Sequence, residues 1–146
     1  MNPLDTPLGF STNFLFVPGT RPERFIKALD SGASGVVLDL EDAVPQEDKE
    51  VARNAIRAAW PSFSAEQKER LVIRTNSPGS QFYAADLILA QELQATCLLI
   101  PKTESLDQIN GAALILPNTA FIPMIETALG LDRLKEIANS NQVIRL

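Results

Sequence analysis

Apolar residues along this chain gather in short runs rich in Val, Ile and Phe: Phe14–Val17, Val36–Leu40, Leu71–Ile73, Cys97–Ile100 and Phe121–Ile125. A sixth begins at Gln142 and reaches Leu146. Continuous apolar runs bounded by turn-formers predict strands covered on both faces, since a strand with one wet face would alternate. Between the runs the pattern turns helical. Pro22–Ser31 opens with proline at a first-turn position, Glu47–Trp60 alternates charge with Ala and Ile, and Ser80–Leu93 carries Leu87, Ile88 and Leu89 at its centre. Ser105–Leu114 and Gly130–Asn139 complete the set. Strand and helix alternating at intervals of roughly 20 to 30 residues predict parallel βαβ units and the α/β class.

Two architectures fit this alternation: an open, doubly wound sheet of five or six strands, or about the first five and a half units of a (β/α)8 barrel of TIM type. In both, functional groups belong at the carboxyl ends of the strands. With no low-complexity tract, fixed-period repeat or linker block, residues 13–146 read as one domain behind a loose N-terminal arm, Met1 to Thr12.

Composition narrows the chemistry. The 146 residues carry a net charge of −5 and no His, so proton transfer or metal binding falls to carboxylates, Lys, Tyr, Ser/Thr or Cys97. Cys97 lies in an apolar run and reads as a packed thiol. The acidic balance speaks against nonspecific binding of nucleic acid or anionic membrane. Residues 1–13 contain no Lys or Arg, as a signal peptide would, and no run approaches the roughly 18 apolar residues of a membrane span. A cytoplasmic protein is the expectation.

Each of the five predicted strands ends in ionisable groups. After the first come Gly19, Arg21, Arg24 and Lys27, where backbone N–H groups and cations at a helix start suit an anion or simply solvate the helix. The second ends in Asp39, Glu41 and Asp42, a crowding of anions that calls for a divalent cation or a basic partner. One of the three can instead cap the next helix. Arg74 follows three apolar residues of the third strand, so it needs a bound anion or an ion pair with Glu41 or Asp42. Lys102 and Glu126 close the fourth and fifth. Five consecutive charged strand ends point to a site.

These residues carry a resemblance. Phe16-Val17-Pro18-Gly19-Thr20-Arg21-Pro22-Glu23-Arg24 and Val37-Leu38-Asp39-Leu40-Glu41-Asp42-Ala43-Val44 resemble the citrate lyase beta subunit and its relatives in the HpcH/HpaI aldolase/citrate lyase superfamily. Arg74-Thr75-Asn76, Ile100-Pro101-Lys102-Thr103-Glu104-Ser105 and Pro123-Met124-Ile125-Glu126-Thr127 resemble the next three strand ends of that family, in order. The resemblance implies a Mg2+-dependent (β/α)8 barrel that cleaves or forms a carbon–carbon bond between an acyl thioester and an oxo acid. Citryl-, citramalyl- or malyl-CoA, or an acyl-carrier-protein thioester, is the implied substrate class. It also implies that Glu126 binds Mg2+, that Glu41 and Asp42 act in catalysis by holding the metal's waters, and that Arg74 pairs with the oxo-acid carboxylate. Arg24, Lys27 and Lys49 would lie toward the nucleotide of the thioester. The family's second carboxylate ligand is expected beyond Leu146, and so are three further strand–helix units, so this stretch of chain alone is expected to catalyse poorly. Open sheet edges predict a homo-oligomer.

Three rival readings remain. One is a metal-dependent pyruvate-type aldolase that uses no thioester. Another is an inactive fragment of such a barrel. The third is a receiver-like signalling domain, and the order of groups opposes it, because the acidic cluster follows the second strand and Arg74 the third.

Overall fold

The computed structural model describes residues 6–146. Five strands, β1 (Phe14–Pro18), β2 (Gly35–Asp39), β3 (Leu71–Arg74), β4 (Cys97–Ile100) and β5 (Ala120–Pro123), form one parallel sheet in the order 1-2-3-4-5. In the run expected as a sixth strand, a single parallel bridge joins Val143 to Phe121 of β5. This order separates the two architectures. A doubly wound sheet reverses its strand order at a switch point, whereas a barrel adds each strand beside the last. The chain is an α/β fold of the barrel type.

The helices are α1 (Phe25–Leu29), α2 (Lys49–Ala59), α3 (Ala65–Glu69), α4 (Tyr83–Leu93), α5 (Leu106–Ile115), α6 (Ala128–Asp132) and α7 (Leu134–Ile137). The segment expected as one helix over Gly130–Asn139 is broken at Arg133 into α6 and α7. Helix α3 had no counterpart in the apolar pattern, being short and charged. It is held by a capping box in which Ser64 and Gln67 exchange side-chain-to-backbone hydrogen bonds.

Alternation along the strands divides the core. Val36, Leu38, Leu71, Ile73, Leu98, Ile100 and Phe121 face the helices and pack on Phe25, Ile56, Leu89 and Ile109. Val37, Val72, Cys97, Leu99, Ala120 and Ile122 form a second cluster on the inner face. Fully burying each Val, Leu, Ile or Phe among them contributes about 1.5–3 kcal/mol. Residues of β2 that share the inner face with Val37 continue upward to Asp39, and those of β3 from Val72 to Arg74, so the alternation that builds the inner core also delivers charge to its rim.

Of the segment expected to be a loose arm, Met1–Asp5 lie outside the described residues. From Thr6 onward the chain is docked: Pro7–Phe10 form a 3-10 turn, and Leu8 is fully buried in the inner-face cluster. Leu8 packs close to Gly35 at the start of β2, a role no periodic pattern announces. At the other margin, β1 pairs only with β2, and Leu15 and Phe16 remain about 40% exposed. Among the described residues, no helix is long and apolar enough to cross a membrane.

Candidate active site

Asp39 is the centre from which the site is built. Its carboxylate accepts the Glu41 N–H (2.8 Å) and the Ala43 N–H (3.1 Å), closing the turn that follows β2. The same two oxygens take Arg74: Nε donates to Oδ1 and Nη2 to Oδ2, both at 2.7 Å. The strand register pairs Asp39 with Arg74, so both side chains rise on one face of neighbouring strands and meet as a two-pronged ion pair. Gly19 secures the backbone beneath. Its N–H donates to the Asp39 carbonyl at 2.8 Å, and a Cβ there would stand 2.9 Å from that oxygen.

Arg74 therefore has a different principal partner from the one expected. Its fork is held by Asp39, while Glu41 approaches Nη1 at 3.1 Å and the exposed Asp42 at 4.0 Å. The guanidinium carbon also sits 5.0 Å from the centre of the Phe16 ring. Burial disfavours the Arg74 charge, but the Asp39 hydrogen bonds and the surrounding carboxylates outweigh it and push its pKa up.

Glu41 is buried and divides its two oxygens. Oε1 accepts from Lys102 Nζ at 2.8 Å, while Oε2 faces Arg74 without a well-formed hydrogen bond. Lys102 also donates its backbone N–H to Glu126 Oε2 at 2.8 Å. It does so from a left-handed backbone conformation, φ +49°, which costs a non-glycine residue roughly 1–2 kcal/mol. Hydrogen bonding and the charge of Glu41 push the Lys102 pKa up. Just beyond, the Thr127 hydroxyl caps α6, and a Cβ at Gly130 would lie 2.5 Å from the Thr103 carbonyl, so the loops after β4 and β5 are closely apposed.

Lys49 lies in the first turn of α2 with its ammonium buried, donating to the carbonyls of Leu40 (2.7 Å) and Glu41 (2.6 Å). Burial pulls its pKa down against the upward influence of Asp39, Asp86 and Glu41. It braces the acidic turn and also lines a pocket of about 340 Å3 with Glu41, Asp42, Asn76, Phe82 and Lys102. Arg24 and Lys27 are placed apart, beside a groove of about 430 Å3 with Leu15, Val17 and Ala28. Thus the structure gathers Arg74, Glu41, Asp42, Lys49, Lys102 and Glu126 at the carboxyl ends of β2 to β5, and leaves Arg24 and Lys27 on α1 and the turn before it.

A second charged cluster escaped the sequence reading. Asp86 of α4 is fully buried and accepts from Arg53 Nη1 (2.9 Å), the Asn76 N–H (2.7 Å) and Asn76 Nδ2 (2.8 Å), so it ties α2 to the loop after β3. Burial raises its pKa, opposed by the hydrogen bonds from Asn76 and Arg53. The nearby Tyr83 hydroxyl is pushed up to about 12, first by burial and then by Asp86. Cys97 is buried, and burial alone raises its thiol, as expected of a packed cysteine.

The HpcH/HpaI aldolase/citrate lyase family model matches residues 13–146. A citrate lyase subunit beta-like protein of Mycobacterium tuberculosis is 37% identical over 131 residues, covering 90% of this chain and 44% of that protein. A (3S)-malyl-CoA thioesterase of Cereibacter sphaeroides is 31% identical over 124 residues, covering 85% of this chain and 43% of that protein. The crystal structure of the CitE protein of M. tuberculosis in complex with magnesium, acetoacetate and coenzyme A superposes with a TM-score of 0.80 at 35% identity, covering 92% of this chain and 47% of that one. The chain thus spans less than half the length of these curated relatives. Strand order, the charged strand ends and these similarities agree: the chain belongs to the HpcH/HpaI aldolase/citrate lyase family.

Proposed function

We propose that this site serves a Mg2+-dependent carbon–carbon lyase that cleaves or forms a 3-hydroxy-3-carboxyacyl thioester such as citryl-, citramalyl- or malyl-CoA, giving an acyl thioester and an oxo acid. Arg74 carries the reading. Its guanidinium is buried and fixed by Asp39, yet two of its five N–H groups suffice for that fork, so donors remain for a substrate carboxylate. Asp39 would keep Arg74 charged and correctly turned, while Phe16 restricts its plane.

The donor set suits Mg2+. Glu126, whose Oε2 accepts the Lys102 N–H, would hold the metal, and Glu41 and Asp42 would hold its waters. Among the described residues no three Asp, Glu, His or Cys side chains group into a complete cage. Mg2+ does not need one, since it is commonly held by one or two carboxylates with substrate and water. When bound, it supplies Lewis-acid polarisation of the substrate's hydroxyl or carbonyl oxygen. The local charges agree. Asp39, Glu41, Asp42 and Glu126 exceed Arg74, Lys49 and Lys102 by one negative charge, so a dianionic acid enters more readily with a dication. The relative bound to magnesium, acetoacetate and coenzyme A supports the same assignment. Arg24 and Lys27 are assigned the phosphates of the thioester.

A pyruvate-type aldolase without a thioester is the second reading. It is favoured by Lys49, whose ammonium is already committed to two carbonyls, and by the separation of Arg24 and Lys27 from the pocket. The test is Mg2+-dependent cleavage of citryl-, citramalyl- and malyl-CoA by the native gene product, with and without Glu126→Gln. Loss of roughly 100-fold or more in the variant is expected, since several kcal/mol of charge stabilisation would go. Unchanged activity overturns the assignment. Cleavage of a free hydroxy-oxo acid with every thioester untouched selects the aldolase.

A further inference from the structure

We propose that Lys102 is the resident counter-ion of this acidic site, balancing Glu41 in the metal-free protein and competing with a divalent cation as it enters. The proposal rests on the reading of the site as a divalent-cation centre.

The geometry assigns the role to one residue. The left-handed backbone at Lys102 aims its N–H at Glu126, while its side chain turns toward the loop after β2 and reaches Glu41. A single residue thus bridges two carboxylates that start from strands β2 and β5. Among the described residues only Gln94 shares a positive φ without being glycine, and Gln94 merely ends α4. A lysine held so at the mouth of a charged pocket is an unusual choice, because local strain tends to collect at functional sites.

The neighbouring cations are locked and Lys102 is not. Arg74 is buried, with its fork on Asp39, and the Lys49 ammonium is tied to two carbonyls. The Lys102 side chain is 48% exposed, and its ammonium has one side-chain partner, leaving donors and a flexible stem free to move. Glu41 in turn has no well-formed hydrogen bond on its other oxygen. Asp39 is neutralised by Arg74, so Glu41, Asp42 and Glu126 are the charges an entering cation would meet, with Lys102 among them. A positive charge in that place lowers the affinity for a cation and raises it for an anion.

The sign of this effect distinguishes the role from simple structural support. Removing the ammonium should tighten metal binding, whereas damage to the fold would weaken it. With Mn2+ as the probe, titrated calorimetrically into the whole chain at low salt, Lys102→Met should bind about 3- to 10-fold more tightly than the wild type, as one unit charge several ångströms away implies. Lys102→Gly, which suits the left-handed turn, should do the same, and Lys102→Arg should stay near the wild-type affinity. The gain should shrink in high salt. Weaker or unchanged Mn2+ binding in both charge-removing variants overturns the proposal. If the wild type takes up no Mn2+, this stretch of chain holds no cation without the ligand expected beyond Leu146, and a metal-free double-mutant cycle decides Lys102 by itself. Glu41→Gln and Lys102→Met should then be coupled, shifting the unfolding equilibrium together by at least about 3-fold less than their separate effects predict. Additive effects there overturn the counter-ion role.

Discussion

Among the described residues two buried Arg–Asp pairs each join positions more than 30 apart, in very different surroundings. Arg53 and Asp86 meet in the helical layer, where Asp86 also takes both nitrogens of Asn76 and Arg53 also takes Glu50. Arg74 and Asp39 meet on the inner face at the carboxyl ends of the strands, beside an exposed Asp42 and the pocket lined by Glu41 and Lys102. The chemistry of the bond is the same. What differs is the company of the remaining donors. Those of Arg53 meet Glu50 in the helical layer, while Nη1 of Arg74 lies among Glu41 and the exposed Asp42 at the strand ends, so the first pair is a strut and the second is the one proposed to bind.

Substitutions break the comparison apart in order of size. Asp86→Ala should be the most damaging, costing about 3–5 kcal/mol in chemical unfolding, because it leaves buried Arg53 only the exposed Glu50 and removes the acceptor of both Asn76 donors. Asp39→Ala should cost less, about 2–3 kcal/mol, since Glu41 and Asp42 stay near Arg74 and soften the loss. If the two prove equal, the surrounding carboxylates do not share the Arg74 charge.

Ligand binding should reverse the ranking. With Mg2+ and oxaloacetate as probes, Arg74→Met should abolish thermal protection by the oxo acid, whereas Arg53→Met should lower the melting temperature and leave that protection in place. Equal loss in both would place the two pairs in one functional network.

The smallest effect concerns Lys49. Its folded pKa lies below the ordinary 10.5 because its ammonium is buried. Between the folded value and 10.5 the unfolded chain therefore holds more protons, and stability contributed by this group rises with pH across that window. Unfolding of wild type and Lys49→Met compared from pH 8 upward should show a rise in the wild type that the variant lacks.

Much of this was legible beforehand, for identifiable reasons. Strands β2 to β5 announced themselves because each is covered on both faces and so reads as an apolar run, and β1 is equally apolar although Leu15 and Phe16 are half exposed. The charged strand ends were equally plain, since Asp39, Glu41, Arg74, Lys102 and Glu126 interrupt those runs or follow them closely. Leu8 was hidden in a segment with no periodicity, although it plugs the inner core. Asp86 was hidden too, as a lone acid in the otherwise apolar first half of α4. Lys49 was expected to lie toward the nucleotide of the thioester, and nothing local shows the carbonyls of Leu40 and Glu41 turning back upon it.

The sequence by itself determined the α/β class, the places where strands end and the kinds of charge waiting there, because these depend on short-range pattern and side-chain chemistry. Only the tertiary structure decided that the sheet runs 1-2-3-4-5 as in a barrel, that Asp39 takes the fork of Arg74, and that Lys102 spans Glu41 and Glu126. Those choices join residues 35, 61 and 24 positions apart, and strand register with one left-handed turn sets which of several nearby carboxylates each cation meets.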